Sequence, residues 1–304
     1  MSLTRCLLAL VLASGLTAQA ESFSRERSFS FLEQLCEIGP RYPGAPGHTA
    51  ARDWLLATLA PLGDDVFLQN FSHPVRDDHP KRAEAGPTLN LSNIVCRFRP
   101  DVPRRILLTA HWESRPFCDQ EKDPELAAQP LVGANDSASG VAILLELATL
   151  WSTTPPPIGV DIVLVDGEDW GEEGVLADYL LGSRHLARNL LVPAPFLAVN
   201  LDMLGDTDLD LQIERNSWQA APDWVDLIWN TAADLGHDNI FQRRMGQAIL
   251  DDHVPLIQAG IPAVNLIDFT YPAWHTTRDT PAQCSSESLG IIGDVLLETL
   301  RQLP

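Results

Sequence analysis

Six side chains of this sequence could act on one centre: His111, Asp136, Glu168, Asp169, Asp202 and His275. Imidazole nitrogens and carboxylate oxygens suit zinc, and a catalytic zinc keeps an open position beside three protein ligands. Glu168 and Asp169 are adjacent, and neighbouring side chains on an extended chain point different ways. Such a pair can divide its work, with one carboxylate holding a metal and the other moving protons. Each residue also has a blander reading. His111 or His275 alone could cap or fill the core, Asp136 could be a helix N-cap, Asp202 a turn residue, and Glu168-Asp169 a solvated acidic loop. What favours chemistry is that these residues all follow apparent strand ends or the turn into a helix.

The elements that must position them can be read from hydrophobic patterning. Residues 160–165, Val-Asp-Ile-Val-Leu-Val, are short, apolar and β-branched, and they stop abruptly at Asp166-Gly-Glu-Asp169. That pattern predicts a buried parallel strand. Residues 105–110 predict a second strand running into His111, residues 196–201 a third ending at Asp202, and residues 263–267 a last one before the loop that carries His275. Further strands are expected at 65–71, 91–98 and 208–213. Helical spacing predicts helices at 29–38, 48–62, 139–151, 180–189, 222–235 and 286–302, with a short one opening near Asp251-Asp-His253. Residues 21–27 read as frayed, and 72–87 as a surface excursion. Alternating strands and helices imply an α/β class: a three-layer α/β/α arrangement around a central, mostly parallel mixed sheet. In such sheets chemistry sits outside the carboxyl ends of the strands.

The chain has 304 residues, 45% hydrophobic and 20% charged, as expected of a globular protein with a sizeable core. Residues 1–20 read as a signal peptide: Arg5 precedes a short apolar run, and Ala18-Gln-Ala20 matches a small-residue cleavage site. Residues 21–304 then form a single catalytic domain, exported to the periplasm or secreted. No other stretch approaches the roughly 20 apolar residues of a spanning helix, so no stable membrane association is expected. The net charge is −20 and the pI ≈ 4.6. There is no basic stripe, which argues against nucleic acid. Negative charge could attract cationic substrates such as free amino termini, or serve solubility alone. Cys36, Cys96, Cys118 and Cys284 show no metal-binding spacing. They could pair in an oxidising compartment or remain buried thiols.

Several segments carry a family resemblance: Gly39-Pro-Arg-Tyr-Pro-Gly44, Ala110-His-Trp-Glu-Ser-Arg-Pro116, Gly133-Ala-Asn-Asp-Ser-Ala-Ser-Gly140, Asp166-Gly-Glu-Asp-Trp-Gly171, Leu181-Gly-Ser-Arg-His-Leu-Ala187, Asp251-Asp-His253 and Trp274-His-Thr-Thr-Arg-Asp-Thr280. Together they resemble the zinc-exopeptidase superfamily, and within it the bacterial relatives of the animal-type glutaminyl cyclases. The resemblance implies one zinc on Asp136, Asp169 and His275, with Glu168 as proton shuttle. It implies that Asp251 and Asp202 join a carboxylate network and that Trp274 borders the substrate; His253, which follows the Asp pair directly, is read as orienting Asp251 or the substrate. The implied reaction converts the N-terminal glutamine of peptides or proteins to pyroglutamate and releases ammonia. The alternative within the superfamily is a two-zinc aminopeptidase, with His111 and Asp202 serving the second ion. Two departures stand out. Position 169 is Asp where many relatives have Glu, and the superfamily's His-x-Asp is His111-Trp-Glu113 here.

Overall fold

Short Val-, Ile- and Leu-rich runs become strands because branched side chains suit a pleated surface buried on both faces. In the computed structural model, which describes residues 22–303, the strands are β1 (Asp65–Pro74), β2 (Thr88–Phe98), β3 (Arg105–His111), β4 (Gly159–Val165), β5 (Leu197–Asp202), β6 (Leu211–Ile213), β7 (Phe241–Met245) and β8 (Ala263–Ile267). The expected signal peptide lies outside the described residues. Six strands make one sheet in the order β1-β2-β4-β3-β5-β8. β4, β3, β5 and β8 run parallel to one another, and β1 and β2 join antiparallel. This is the mixed α/β architecture that the alternation of elements implied.

β3 and β4 are buried along their whole length. Their side chains alternate between two cores, as a period of two requires. Ile106, Leu108, Val160, Ile162 and Leu164 face one, beneath the helices Arg25–Glu37, Pro46–Leu59, Gly140–Thr153 and Ser286–Gln302. Leu107, Val163 and Val165 face the other, beneath Leu181–Arg188 and His253–Gln258. Helices therefore cover both faces of the sheet. No helix among the described residues is long and apolar enough to cross a membrane.

Some expectations are corrected. Residues 25–27 are helical, not frayed: Ser24 caps the helix through Arg27 N, and the Arg27 guanidinium pairs with the fully buried Glu146 at 2.5 Å. That ion pair anchors a segment whose polar composition suggested disorder. The strand expected at 208–213 shrinks to Leu211–Ile213, because the Asp206 carboxylate takes the Asp208 N–H in a turn and the distant Asp268 carboxylate takes the Asp210 N–H. It pairs with β7 in a separate two-stranded sheet. His79, within the stretch read as a surface excursion, is buried, and so is His48. His48 bonds Asp166 at 2.9 Å and stacks on Trp112, and His79 stacks on Trp170. The four described cysteines are buried free thiols.

Candidate active site

Because β4, β3, β5 and β8 are parallel neighbours, their carboxyl ends meet along one edge of the sheet. His111 closes β3, Glu168 and Asp169 follow β4, Asp202 closes β5, and His275 sits in the loop after β8. Asp136 arrives from an irregular wide turn, Ala134–Ser139, where its own φ of −105° and ψ of 83° break the helical path. Gly133 makes that turn possible. Its φ is +68°, and a Cβ there would stand 2.3 Å from the Asp136 carbonyl oxygen, so only glycine fits. Asp279, fully buried, then accepts the N–H groups of Asn135 and Asp136 at 2.8 and 3.2 Å and the Tyr271 hydroxyl at 2.9 Å. Burial and the charge of Asp136 push the Asp279 carboxyl up to about 7, against those donors.

Asp136, Asp169 and His275 converge, each offering one ligand atom within 4.8 Å of the others. His275 Nε2 stands 3.4 Å from both Asp136 Oδ2 and Asp169 Oδ2. That spacing is long for a charge-assisted hydrogen bond. It matches the ~3.3 Å that separates two ligands on a tetrahedral ion with bonds of ~2.0–2.1 Å. Asp169 Oδ2 is buried and has no hydrogen-bond partner, which is costly unless something else binds it. The donor set therefore fits a zinc ion. A second group, His111, Asp136 and Asp202, shares Asp136: His111 Nε2 lies 3.2 Å from Asp136 Oδ1 and from Asp202 Oδ1. Burial alone would lower the His111 pKa, but bonds to Asp136, Asp202 and Glu113 raise it well above the ordinary range.

The remaining acids sit close by. Burial, then the charge of Asp169, lifts the Glu168 carboxyl well above the usual glutamate range. Burial and Asp251 push Asp202 up to about 7 against the pull of His111. Asp251 is fixed by Asn200 Nδ2 at 3.1 Å and Asn265 Nδ2 at 2.6 Å, amides carried by β5 and β8. Two side chains that point inward from neighbouring strands thus aim one carboxylate.

A cleft of ≈ 390 Å³ opens over this edge, a size that suits small-molecule or single-residue recognition. It is lined by Asp136, Glu168, Asp169, Asp202, Asp251 and His275, with Trp274 beside them. Trp274 stacks on His275 with ring centroids 4.1 Å apart. His253 takes a different place from the one expected. It is fully buried, spends Nε2 on Glu214 at 3.2 Å, and is not among the residues lining the cleft. It stands behind the wall, so the expectation of substrate contact is corrected. Leu180, Met203 and His275 adopt left-handed backbone at φ of 59°, 51° and 53°. Each conformation costs ~1–3 kcal/mol, and such strain clusters where geometry serves function.

Two residues at this edge were quoted in the sequence motifs without a role or missed outright. Asp119 Oδ1 lies 2.9 Å from His275 Nδ1. Arg115, almost wholly buried, donates to Asp169 Oδ1 at 2.5 Å. The sequence offered one clue, an Arg and an Asp four residues apart just after His111, but in a loop that spacing carries no facing rule.

The family model described as peptidase family M28 matches residues 93–300. The glutaminyl-peptide cyclotransferase-like protein of Bos taurus is 29% identical over 290 residues, covering 83% of this chain and 69% of its own length. The crystal structure of Porphyromonas gingivalis glutaminyl cyclase superposes with a TM-score of 0.86 and 34% identity, over 93% of this chain and 99% of that one. A zinc-dependent exopeptidase from Parabacteroides distasonis gives a TM-score of 0.87 and 32% identity, over 94% of this chain and 100% of the other.

Proposed function

This chain belongs to peptidase family M28, and from that premise we propose that it is a zinc-dependent glutaminyl-peptide cyclotransferase. It acts on peptides or proteins with an N-terminal glutamine, and residues 1–20 direct its export. The observation that carries the reading is the cleft itself: Glu168, Asp202 and Asp251 line it together with Trp274, opposite the ligand atoms of Asp136, Asp169 and His275.

Zinc on Asp136, Asp169 and His275 would supply Lewis acidity toward the γ-carbonyl of the substrate glutamine. The substrate's α-amine and its γ-carbon are already tethered, so the cleft has only to select the folded rotamer. Glu168 accepts a proton from the attacking amine and returns it to the departing ammonia. A carboxyl raised by burial and by Asp169 suits both halves of that transfer. Asp202 and Asp251 orient the amine, and the Asp202 carboxyl, raised by burial and by the charge of Asp251, shares protons with Glu168. Trp274, packed on His275, walls off water, which would otherwise hydrolyse the amide to glutamate.

One ion is the reading favoured over two. His111 Nε2 is engaged with both Asp136 Oδ1 and Asp202 Oδ1 at 3.2 Å, and Glu113 Oε1 stands 3.6 Å from its other nitrogen. His111 thus closes on Asp136 and Asp202 at hydrogen-bonding distance, whereas in the group of Asp136, Asp169 and His275 the Asp169 Oδ2 atom is left without a hydrogen-bond partner. The test is a side-by-side assay of purified, zinc-loaded enzyme. Ammonia release from a Gln-terminated peptide, without cleavage of a Leu-terminated one, is expected. Amide cleavage without ring closure, with zinc near two per chain, would establish the aminopeptidase instead.

A further inference from the structure

Arg115 touches no atom of the proposed zinc triad that is left free to ligate, yet it decides which atoms are free. The guanidinium is 1% exposed. Its Nη1 donates to Asp169 Oδ1 at 2.5 Å and to the Asp169 carbonyl at 3.2 Å. Its Nη2 and Nε donate to Asp119 Oδ2 at 2.5 and 3.2 Å, and Nη2 also reaches the Tyr179 hydroxyl at 3.0 Å. The other oxygen of Asp119 takes His275 Nδ1. Glu113 Oε1 accepts the Asp169 N–H at 3.0 Å. Every polar atom of Asp169 but one is therefore engaged. What remains is Oδ2, buried and without a hydrogen-bond partner. On His275 only Nε2 remains, and these two free atoms face each other at 3.4 Å.

We infer that Arg115, acting directly on Asp169 and through Asp119 on His275, is the positioning residue that restricts Asp169 to a single ligating oxygen and holds the two ligand loops in register. This rests on the zinc triad proposed above. The reasoning is geometric. Asp is one methylene shorter than Glu, so its carboxylate cannot reach by bending its own stem. The residue must be placed by its backbone, and Glu113 and Arg115 grip its N–H and its carbonyl. The rigid planar fork of an Arg directs its donors to two carboxylates and a carbonyl in one fixed geometry, which the compact, rotatable ammonium of a Lys does not impose. An outer carboxylate on a ligating imidazole fixes its tautomer and typically governs metal affinity 10- to 100-fold.

The experiment uses three variants of the full chain, Arg115→Met, Arg115→Lys and Asp119→Asn. Asp119 is partly exposed, so its variant keeps the test open if Arg115→Met fails to fold. Zinc dissociation into excess chelator is timed, the visible spectrum of the Co(II)-substituted protein is recorded, and the metal-free forms are melted. Zinc loss at least about 10-fold faster than wild type is expected for Arg115→Met and Asp119→Asn, with partial recovery in Arg115→Lys. The released Asp169 carboxylate should bind through both oxygens in Arg115→Met and weaken the Co(II) bands, as higher coordination does. The metal-free Asp119→Asn protein should melt with metal-free wild type. Wild-type dissociation rates and spectra in the folded variants would overturn the positioning role. Failure of the triad itself has its own signature: His275→Ala would then retain zinc at the wild-type rate.

Discussion

At the scale of single residues, Glu168 and His275 separate proton transfer from metal binding. Glu168→Gln keeps the shape of the side chain but cannot accept a proton. It should lower kcat by roughly 10²–10⁴ while zinc content stays at the wild-type level, measured by metal analysis on the same preparation. Activity that survives in the Gln variant would remove Glu168 from the proton path. His275→Ala deletes one of three ligands and should lose zinc and activity together. Glu168 and Asp169 were legible in the sequence because two adjacent acids closing an apolar strand are conspicuous, and β4 indeed delivers both to the cleft. Arg115 was not legible, because its meaning is a bond to a residue 54 positions away. His253 misled for the opposite reason. Its neighbour Asp251 faces the cleft, but the turn into the His253–Gln258 helix sends the imidazole behind it to Glu214.

At the scale of elements, Glu214 shows how a position outside the chemistry supports it. Its Oε1 accepts Asn216 N at 2.9 Å and Ile249 N at 2.9 Å, and its Oε2 accepts Ser217 N at 2.6 Å. The same carboxylate takes His253, so it caps the Arg215–Ala220 helix and ties down the loop that carries Asp251. Burial alone would raise its pKa, but His253 and the backbone donors outweigh burial and bring it down to about 2. A depressed carboxyl pKa adds stability that is complete above the unfolded value of ~4.3 and is lost as pH falls toward the folded one. Glu214→Gln should therefore cost about 1–3 kcal/mol at neutral pH, and its melting-temperature deficit should narrow as pH drops from 6 to 3. A deficit that stays constant over that range would mean the charge contributes nothing. The strands and helices around this cap differed in legibility. The helix expected at 286–302 is present with its Ser285 cap, since amphipathic spacing and a capping serine are local signals. β7 has the sequence Phe-Gln-Arg-Arg-Met and gains its strand character only by pairing with β6.

At the scale of the whole molecule, the sheet is a rigid platform and the site is a set of loops that one ion must hold together. β3 and β4 are buried throughout and carry no free polar edge near the cleft. The loops carry small apolar clusters of their own, such as Met203, Ile267, Tyr271 and Ala273, apart from the two main cores. Polar bridges tie them together: Asn135 and Asp136 N–H to Asp279, Asp169 N–H to Glu113, Gln120 N–H to the His275 carbonyl, and Arg115 to Asp169 and Asp119. Without a cation, the buried Asp169 Oδ2 has no hydrogen-bond partner, and Asp136, Asp169 and His275 lose the group that would join them. That loss acts on the loops that carry the ligands, not on the strands beneath. A ligand at 1,000 times its Kd stabilises the folded state by ~4 kcal/mol, so zinc removal should lower the melting temperature appreciably. The loss should be local as well. In hydrogen exchange, the amides of Gln120, Asn135, Asp136 and Asp169 should exchange faster in the metal-free protein, whereas those of β3, β4 and the Ser286–Gln302 helix should keep their protection. Local openings are drawn from the least stable parts of a fold, and here those parts are the ones that the ion joins. If metal removal instead sped exchange evenly across the sheet, the ion would be a keystone of the fold; if it changed none of these amides, Asp136, Asp169 and His275 would not be sharing one.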